Sequence, residues 1–380
     1  MIFDFLTITI CCFLLLLALI TPLCNGFFRS ILIKWRICRC EQHTPTAFSI
    51  IITAHDKAKE LERNLPSILN QIYDSKFEVI VVDESSTDGT DDVLKRLKNE
   101  YHNLYTTFIP ESSHYLSRRK LALTIGIKAA KSEWLILTDA DCRPTSNTWL
   151  QSMSDYCNNN TDIVLGFTNY SQQAKTYYRF ERLHTFCYLA HKAYRGIAYR
   201  YNGNNLAIRK SIFMKGNGFL RNLKYLRGEY DFLVNEYSEE ARTAVAVDEK
   251  CFVYQDSPSS TSWKNEHLYY METRQHLKRS FSYRLLTNTD TTLLHFNYLI
   301  DIAALTYSIL SSNIIMTITA AFCLLLSLVL RIIIAQKAFK VFKERINCFM
   351  IPFMEIRILW QNINLLIRHK FADKYEFQRK

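Results

Sequence analysis

Two carboxylates separated by one residue, Asp139 and Asp141, follow directly on the apolar run Trp134-Leu-Ile-Leu-Thr138 and precede Pro144. The run reads as a buried strand, and charge begins where the strand stops. Carboxylates at i and i+2 of an extended segment point to the same side, so one or both suit a divalent cation, and that cation can also grip a diphosphate. A three-residue pattern is a loose signal, with a solvated turn as the alternative. Its place adds weight, because open α/β sheets bind ligands in the crevice beyond the carboxyl ends of their strands.

The elements needed to put the pair there recur upstream. Strand-like segments 48–54, 77–82 and 104–109 alternate with helix-like segments 61–72, 91–100 and 117–131. Such alternation predicts right-handed crossovers and a Rossmann-like α/β fold, with a mostly parallel sheet and helices on both faces. Polar residues collect at the strand ends, as Thr53-Ala-His-Asp56, as Asp83-Glu-Ser-Ser-Thr-Asp-Gly-Thr90 and as the two aspartates. Neither the glycine fingerprint of dinucleotide folds nor a P-loop occurs, so a nucleotide would have to be held by side chains and metal. Arg118 and Lys120, at the start of the helix before the aspartate strand, are candidate diphosphate contacts; solvated first-turn charges are the other reading.

The chain has 380 residues, 48% of them apolar, with only 9 Gly and 7 Pro, which excludes a disordered or low-complexity protein. The net charge of +11 sits beside long apolar runs and no nucleic-acid motif appears, so the expected partner is membrane lipid and not nucleic acid. Eleven cysteines are scattered and Cys38-Arg-Cys40 matches no zinc spacing. Structural thiols in a reducing compartment are expected.

Residues Ile2 to Leu23 are almost wholly apolar, long enough at about 20 residues to cross a bilayer, and lack a small-residue cleavage site. Arg29, Lys34, Arg36 and Arg39 follow, so the segment reads as an uncleaved anchor with its N-terminus outside and the chain beyond it cytoplasmic. Leu293 to Leu310 and Ile314 to Ile334 are two more expected spans, linked by Ser311-Ser-Asn313, and Lys337, Lys340, Lys343 and Arg345 return the chain to the same side. Asp301, inside a span, should face another helix or the interface. Cys348 to Ile367 carries Glu355, Arg357, Gln361 and Asn364 among apolar residues and reads as an amphipathic interfacial helix, a fourth span being the alternative. The expected location is the inner cell membrane, multi-pass, with the catalytic domain cytoplasmic.

Ser49-Ile-Ile-Ile-Thr-Ala-His-Asp56, Leu65-x-x-Ile-Leu-x-Gln71, Glu78-Val-Ile-Val-Val-Asp-Glu-Ser-Ser-Thr-Asp-Gly-Thr90, Lys120-x-Ala-Leu-x-x-Gly-Ile127 and Asp139-Ala-Asp-Cys-x-Pro144 resemble the motifs of family-2 glycosyltransferases in order and spacing. Gly203-Asn-Asn-Leu-Ala-x-Arg-Lys210 and Gly228-Glu-Tyr-Asp231 are similar to later motifs of that family, and the whole looks like its membrane-anchored bacterial type. The resemblance covers roughly residues 48 to 280 and implies a GT-A fold, a nucleotide-sugar donor and inverting transfer. In it Asp83 and Glu84 would read the uracil and ribose, Thr53 and His55 would line the base, and Asp139 with Asp141 would hold Mg or Mn on the diphosphate. Glu84 stands where the family more often has aspartate.

A second departure concerns the proton. The family commonly places its general base, an aspartate, where this chain has Tyr230. A phenol with a pKa of about 10 is a poor base near neutrality, so the role passes to Asp231 or to Glu229, Asp231 being preferred; the alternative is that both only favour the dipole of a helix opened by Gly228. Gln275-His-Leu-Lys-Arg279 keeps the glutamine of the Gln-x-x-Arg-Trp of processive relatives and changes the rest, which argues for single transfer. Arg274, Lys278 and Arg279 read as juxtamembrane charge, with diphosphate contact as the other possibility.

The expected layout is an anchor at 1–26, a basic linker at 27–47, a donor half at 48–145, an acceptor half at 146–285, two membrane helices at 286–336 and a basic interfacial tail at 337–380. In the acceptor half, a long helix spans 175–195, whose stripe Tyr178, Arg182, Phe186 and Leu189 reads as core packing with a sugar platform as the alternative, and residues 242–254 alternate as one strand. The expected activity is transfer of a sugar to a hydroxyl of a lipid-linked or cell-envelope glycan acceptor, with membrane lipid as a further partner. The alternatives are a processive polysaccharide synthase and a non-catalytic membrane protein on a GT-A scaffold.

Overall fold

The computed structural model describes residues 5–34, 46–110, 117–195, 197–239, 242–278 and 281–373. The chain forms two compact units, residues 37–278 with 365–380, and residues 1–36 with 279–364. Helices α1 (Phe5–Leu23) and α2 (Gly26–Lys34) belong to the latter.

The larger unit begins as the alternation predicts: β1 (Phe48–Ala54), α3 (Ala58–Leu69), β2 (Phe77–Asp83), α4 (Thr90–Glu100), β3 (Leu104–Phe108), α5 (Arg118–Ala129) and β4 (Trp134–Asp139). After β5 (Cys142–Pro144) and α6 (Trp149–Ser154) come β6 (Ile163–Gly166), β7 (Thr168–Tyr170), α7 (Thr176–Arg195), β8 (Leu206–Arg209) and α8 (Lys210–Lys215). Then α9 (Glu229–Tyr237), β9 (Thr243–Ala246), β10 (Val253–Gln255) and α10 (Ser260–Thr273) complete it.

Seven strands form the main sheet in the order β3-β2-β1-β4-β8-β6-β9, parallel except where β8 runs against β4 and β6. Every residue of β1 is buried, as a continuous apolar strand covered on both faces should be. Its register aligns Thr53 with Val82 on one side and with Asp139 on the other, so three strand tips end at one edge. On α5, a Cβ at Gly126 would lie 2.6 Å from Ile51 Cγ2, so glycine lets that helix close onto β1.

A second sheet, β5-β10-β7, forms beside the end of β4. It corrects the single strand expected over 242–254. That segment is two strands in different sheets, β9 and β10, parted by a 3-10 turn at Glu249–Cys251 that Asp248 caps by accepting from Lys250 N. The core stripe of α7 is as expected, with Tyr178, Arg182, Phe186 and Leu189 all buried.

The smaller unit adds α11 (Phe281–Leu310), α12 (Ile314–Val341) and α13 (Ile351–Phe371) as far as Asn364. Among the described residues, three helical stretches are long and apolar enough to cross a membrane, Phe5–Leu23, Asn288–Leu310 and Ile314–Val341. Leu14 and Ala18 of α1 pack with Ala304 of α11 and with Met316, Ala320 and Cys323 of α12, small residues letting the backbones approach. Leu16 and Ile20 of α1 and Ile318 and Leu325 of α12 are exposed, as on a lipid-facing surface. Asp301 is buried and accepts from Asn297, in line with its expected inward position. Ile2, Arg36, Cys38, Arg39, Cys40 and Arg279, which entered the sequence reading, lie outside the described residues.

Candidate active site

Asp139 closes β4, and its carboxylate faces two side chains that reach it from other elements. Nη2 of Arg119 donates to Oδ1 at 2.6 Å and to Oδ2 at 2.7 Å, and the phenol of Tyr230 donates to Oδ1 at 3.0 Å. Arg119 also approaches Glu229, 3.9 Å from Nε to Oε2, and its guanidinium lies 5.5 Å from the Tyr230 ring centre. Burial opposes the Arg119 charge, but Asp139 and Glu229 outweigh it and hold the guanidinium well above its usual pKa.

The helix start decides which basic residue arrives there. Ser117 caps α5, its hydroxyl accepting from Lys120 N at 3.4 Å, and so fixes the rotational phase of the first turn. Successive residues then point about 100° apart. Arg118 donates to Ser85 Oγ at 2.7 Å, on the side of the β2 tip. Lys120 is fully buried and its ammonium donates to the carbonyls of Asn222 at 2.7 Å and Tyr225 at 2.6 Å. Burial lowers its pKa to about 8. Lys120 is therefore a structural tie and not the diphosphate contact expected from the sequence; Arg119, between the two residues singled out, is the cation at the aspartates.

Asp141 sits on a turn pinned from below. Asn64 of α3 donates to Ala140 O at 3.2 Å and to Asp256 at 3.1 Å, Arg63 pairs with Asp256, and Asp256 N donates to Asp141 O at 2.9 Å. The Asp141 side chain accepts from Gln255 Nε2 at 2.9 Å. Burial first, and the charge of Asp139 second, push its pKa up to about 6.

The other strand tips form the adjoining wall. Asp83 accepts from Ser86 Oγ at 2.5 Å, which holds a turn whose Ser85 takes a positive φ of 62°. Thr53 is buried at its strand end, whereas His55 is exposed, 3.7 Å from Asp56. Glu84 is tied by its backbone to Ala54 O at 2.8 Å, and burial raises its pKa against the pull of Arg119.

Gly228 caps α9 with φ +91°, a conformation that favours glycine. The next three residues then fan out. Tyr230 goes to Asp139, and Glu229 is buried near Arg119. Asp231 is buried with Oδ2 3.5 Å from Arg200 Nη1. Burial pushes the Asp231 carboxyl up to about 6 against that cation. Oδ1 of Asp231 and Oε1 of Glu229 have no hydrogen-bond partner among the described residues. The geometry thus gathers Asp139, Arg119, Tyr230 and Glu229 into one cluster and holds Asp231 with Arg200.

A divalent cation suits this crevice. No group of three or more His, Cys, Asp and Glu side chains placed to hold a metal ion occurs among the described residues. Mg or Mn on a nucleotide needs only one or two carboxylates, with phosphate and water completing the shell. Asp141 supplies a crowded carboxylate whose charge a cation would relieve, and Asp139 shares its oxygens with Arg119 and Tyr230.

Residues 49–219 match the model of the family described as "Glycosyl transferase family 2". Among curated proteins, a glycosyltransferase, AglE, of Haloferax volcanii is 29% identical over 119 residues, 31% of this chain and 38% of that protein. A poly(ribitol-phosphate) beta-glucosyltransferase of Bacillus spizizenii is 29% identical over 119 residues, 31% of this chain and 18% of that protein. The chain therefore spans less than two fifths of the length of either relative. Among solved structures, the mannosyltransferase PcManGT of Pyrobaculum calidifontis, in complex with GDP-Man and Mn2+, is 15% identical with a TM-score of 0.51, covering 84% of this chain and 98% of that one. At that identity the likeness is one of fold.

Sheet order, crevice and family match together define a GT-A fold. Residues 49–219 thus form a domain similar to family-2 glycosyltransferases, in a chain that also carries apolar helices able to cross a membrane.

Proposed function

We propose that this protein is a membrane-bound, cation-dependent inverting glycosyltransferase that moves one sugar from a nucleotide-sugar to a hydroxyl of a lipid-linked or cell-envelope glycan acceptor at the cytoplasmic membrane face. The observation that carries the reading is the gathering of Arg119, Tyr230 and Glu229 at Asp139, two residues before Asp141, with the buried carboxylate Asp231 on the same helix as Tyr230 and Glu229. Asp83, Glu84, Thr53, His55 and Arg118 line the wall where the nucleoside would lie. Mg or Mn held by Asp141 and Asp139 would neutralise diphosphate charge, most of all as that charge rises in the transition state.

The protein's own part begins with the acceptor. Asp231, with Glu229 as the second candidate, takes the hydroxyl proton as the acceptor oxygen bonds to the anomeric carbon. The bond from that carbon to the diphosphate breaks, and the nucleoside diphosphate leaves with the electron pair. One displacement inverts the anomeric centre. Arg119 is a second positive charge beside the departing diphosphate. A lipid-linked acceptor fits the three apolar helices, since both partners would meet in the plane of the membrane. The amphipathic segment from 351 onward would rest at the interface, with Phe353 and Trp360 exposed.

The test is calorimetric binding of a panel of nucleotide-sugars to detergent-solubilised protein, with Mn2+ and then with EDTA, followed by transfer assays on polyprenyl-linked and soluble acceptors. Cation-dependent binding of one donor and transfer to the lipid-linked acceptor are expected. Folded protein that binds no donor favours the non-catalytic scaffold, which the Tyr230 substitution keeps in view. Transfer to soluble acceptors alone overturns the lipid-linked part.

A further inference from the structure

The small sheet β5-β10-β7 has no obvious task in a nucleotide fold, yet its central strand ends beside the aspartate turn. Gln255, the last residue of β10, is paired with Cys142 on one side and with Tyr170 on the other. Its carbonyl accepts from Ser171 N at 2.7 Å, and the next amide, Asp256 N, donates to Asp141 O at 2.9 Å. The backbone of Gln255 is thus clamped between two strands and the very loop that carries Asp141.

Its side chain is held just as firmly. The Gln255 Nε2 donates to Asp141 Oδ2 at 2.9 Å, while Oε1 accepts from Nη1 of Arg182. Chemistry fixes this orientation of the amide. An arginine can only donate and an ionised carboxylate can only accept, so the flipped amide would face donor to donor and acceptor to acceptor. Arg182 is buried, its guanidinium lies 4.3 Å from the Tyr170 ring centre, and its Nε donates to Asn202 O at 3.3 Å. Tyr170 in turn donates to Glu266 of α10 at 3.2 Å.

We infer that Arg182 and Gln255 form an orienting relay that holds the Asp141 carboxylate in the rotamer needed to receive the divalent cation, which makes both positioning residues of the glycosyl transfer proposed above. The inference rests on that reading of Asp141 as a cation ligand. Groups behind a metal ligand fix its direction, and their loss weakens metal affinity by about 10–100-fold. The Arg182 charge also explains a buried arginine inside a stripe otherwise filled by Tyr178, Phe186 and Leu189.

Full-length protein in detergent would be titrated with Mn2+, the free ion followed by its electron paramagnetic resonance signal, with UDP or GDP absent and present, alongside a thermal melt. Gln255→Met is expected to weaken Mn2+ uptake by about 10–100-fold. Arg182→Met should weaken it in the same direction, and Arg182→Lys, which can still donate to Oε1, should restore most of the loss. The double variant Gln255→Met with Arg182→Met should bind no more weakly than Gln255→Met alone, because both act through one hydrogen bond to Asp141. Folded Gln255→Met with parental uptake overturns the relay; should that variant not fold, equal uptake by Arg182→Met and Arg182→Lys does so. Parental protein that takes up no Mn2+ removes the cation reading itself, and the relay with it.

Discussion

The phenol of Tyr230 donates to Asp139 Oδ1 at 3.0 Å, on the same carboxylate that Arg119 holds. Burial and the charge of Asp139 drive the phenol's pKa well above its usual value, so Tyr230 is an anchored donor and no base. Tyr230→Phe removes one hydrogen bond to a charged group, worth about 1.5–3 kcal/mol, from a carboxylate that keeps its arginine. Sugar transfer by Tyr230→Phe should therefore stay within about a hundredfold of the parent. A loss of a thousandfold or more in a folded variant would restore the phenol to the chemistry.

How far the sequence reached can be judged on these same residues. The strand that ends in Asp139 was legible because a parallel strand buried on both faces is a continuous apolar run, and its parallel setting followed from the alternation around it, whereas the pairing of Thr53 with Asp139 was not legible. Arg119 was not legible. Three basic residues stand in a row, and only the phase imposed by the Ser117 cap sends the middle one to the aspartates and buries the third. Gln255 was equally hidden, since its role depends on the strand at 253–255 leaving the main sheet, whereas the unbroken alternation from 242 gave no sign of the turn at Glu249. Asp231 stands out in the sequence by its motif, but the arginine beside it, Arg200, lies 31 positions earlier in an irregular stretch with no pattern to read.

Asp231 carries a pH signature. Burial lifts its carboxyl to about 6 from an ordinary 3.8, and Arg200 holds the rise in check. A general base acts deprotonated, so turnover should climb as pH rises through about 6 and then level off. Arg200→Met should move that limb to higher pH, and Asp231→Asn should abolish it with a loss of about 10²–10⁴-fold. Stability runs the other way. A raised carboxyl contributes most below its unfolded pKa and loses that contribution as pH rises through about 6. Thermal melts should accordingly show Asp231→Asn gaining on the parent as pH rises from 3.8 to about 6 and keeping that gain above it, and an unchanged limb in Arg200→Met would detach Asp231 from the reaction.

Cation removal gives a separate check. If Asp141 holds Mg or Mn on the diphosphate, EDTA and Asp141→Ala should each abolish donor binding, and added Mn2+ should rescue only the EDTA-treated protein. Arg119 is the competing explanation, because it already sets a positive charge at the same tip. Arg119→Met with donor binding intact in Mn2+ would place the diphosphate on the cation. Binding that survives EDTA but not Arg119→Met would place it on the arginine.

Within the smaller unit, Arg331 of α12 is buried between two carboxylates, with Nη1 3.1 Å from Glu355 Oε2 and Nη2 3.3 Å from Asp290 Oδ1. Glu355 also accepts from Asn25 at 2.5 Å, and Arg331 donates to Thr21 O at 3.3 Å, so one guanidinium ties the chain near the end of α1 to α11, α12 and α13. Removing one partner from a buried ion pair leaves charge without compensation and costs on the order of 3–5 kcal/mol, whereas replacing the whole set with neutral groups of similar size is often neutral. Arg331→Met should therefore lower the melting temperature in detergent sharply, and Arg331→Met with Asp290→Asn and Glu355→Gln should recover most of it. The catalytic constants of the recovered protein should match the parent, since none of these side chains belongs to the crevice. A single variant as stable as the parent would show that water or lipid headgroups reach the carboxylates, and the network would then be no lock on the helices.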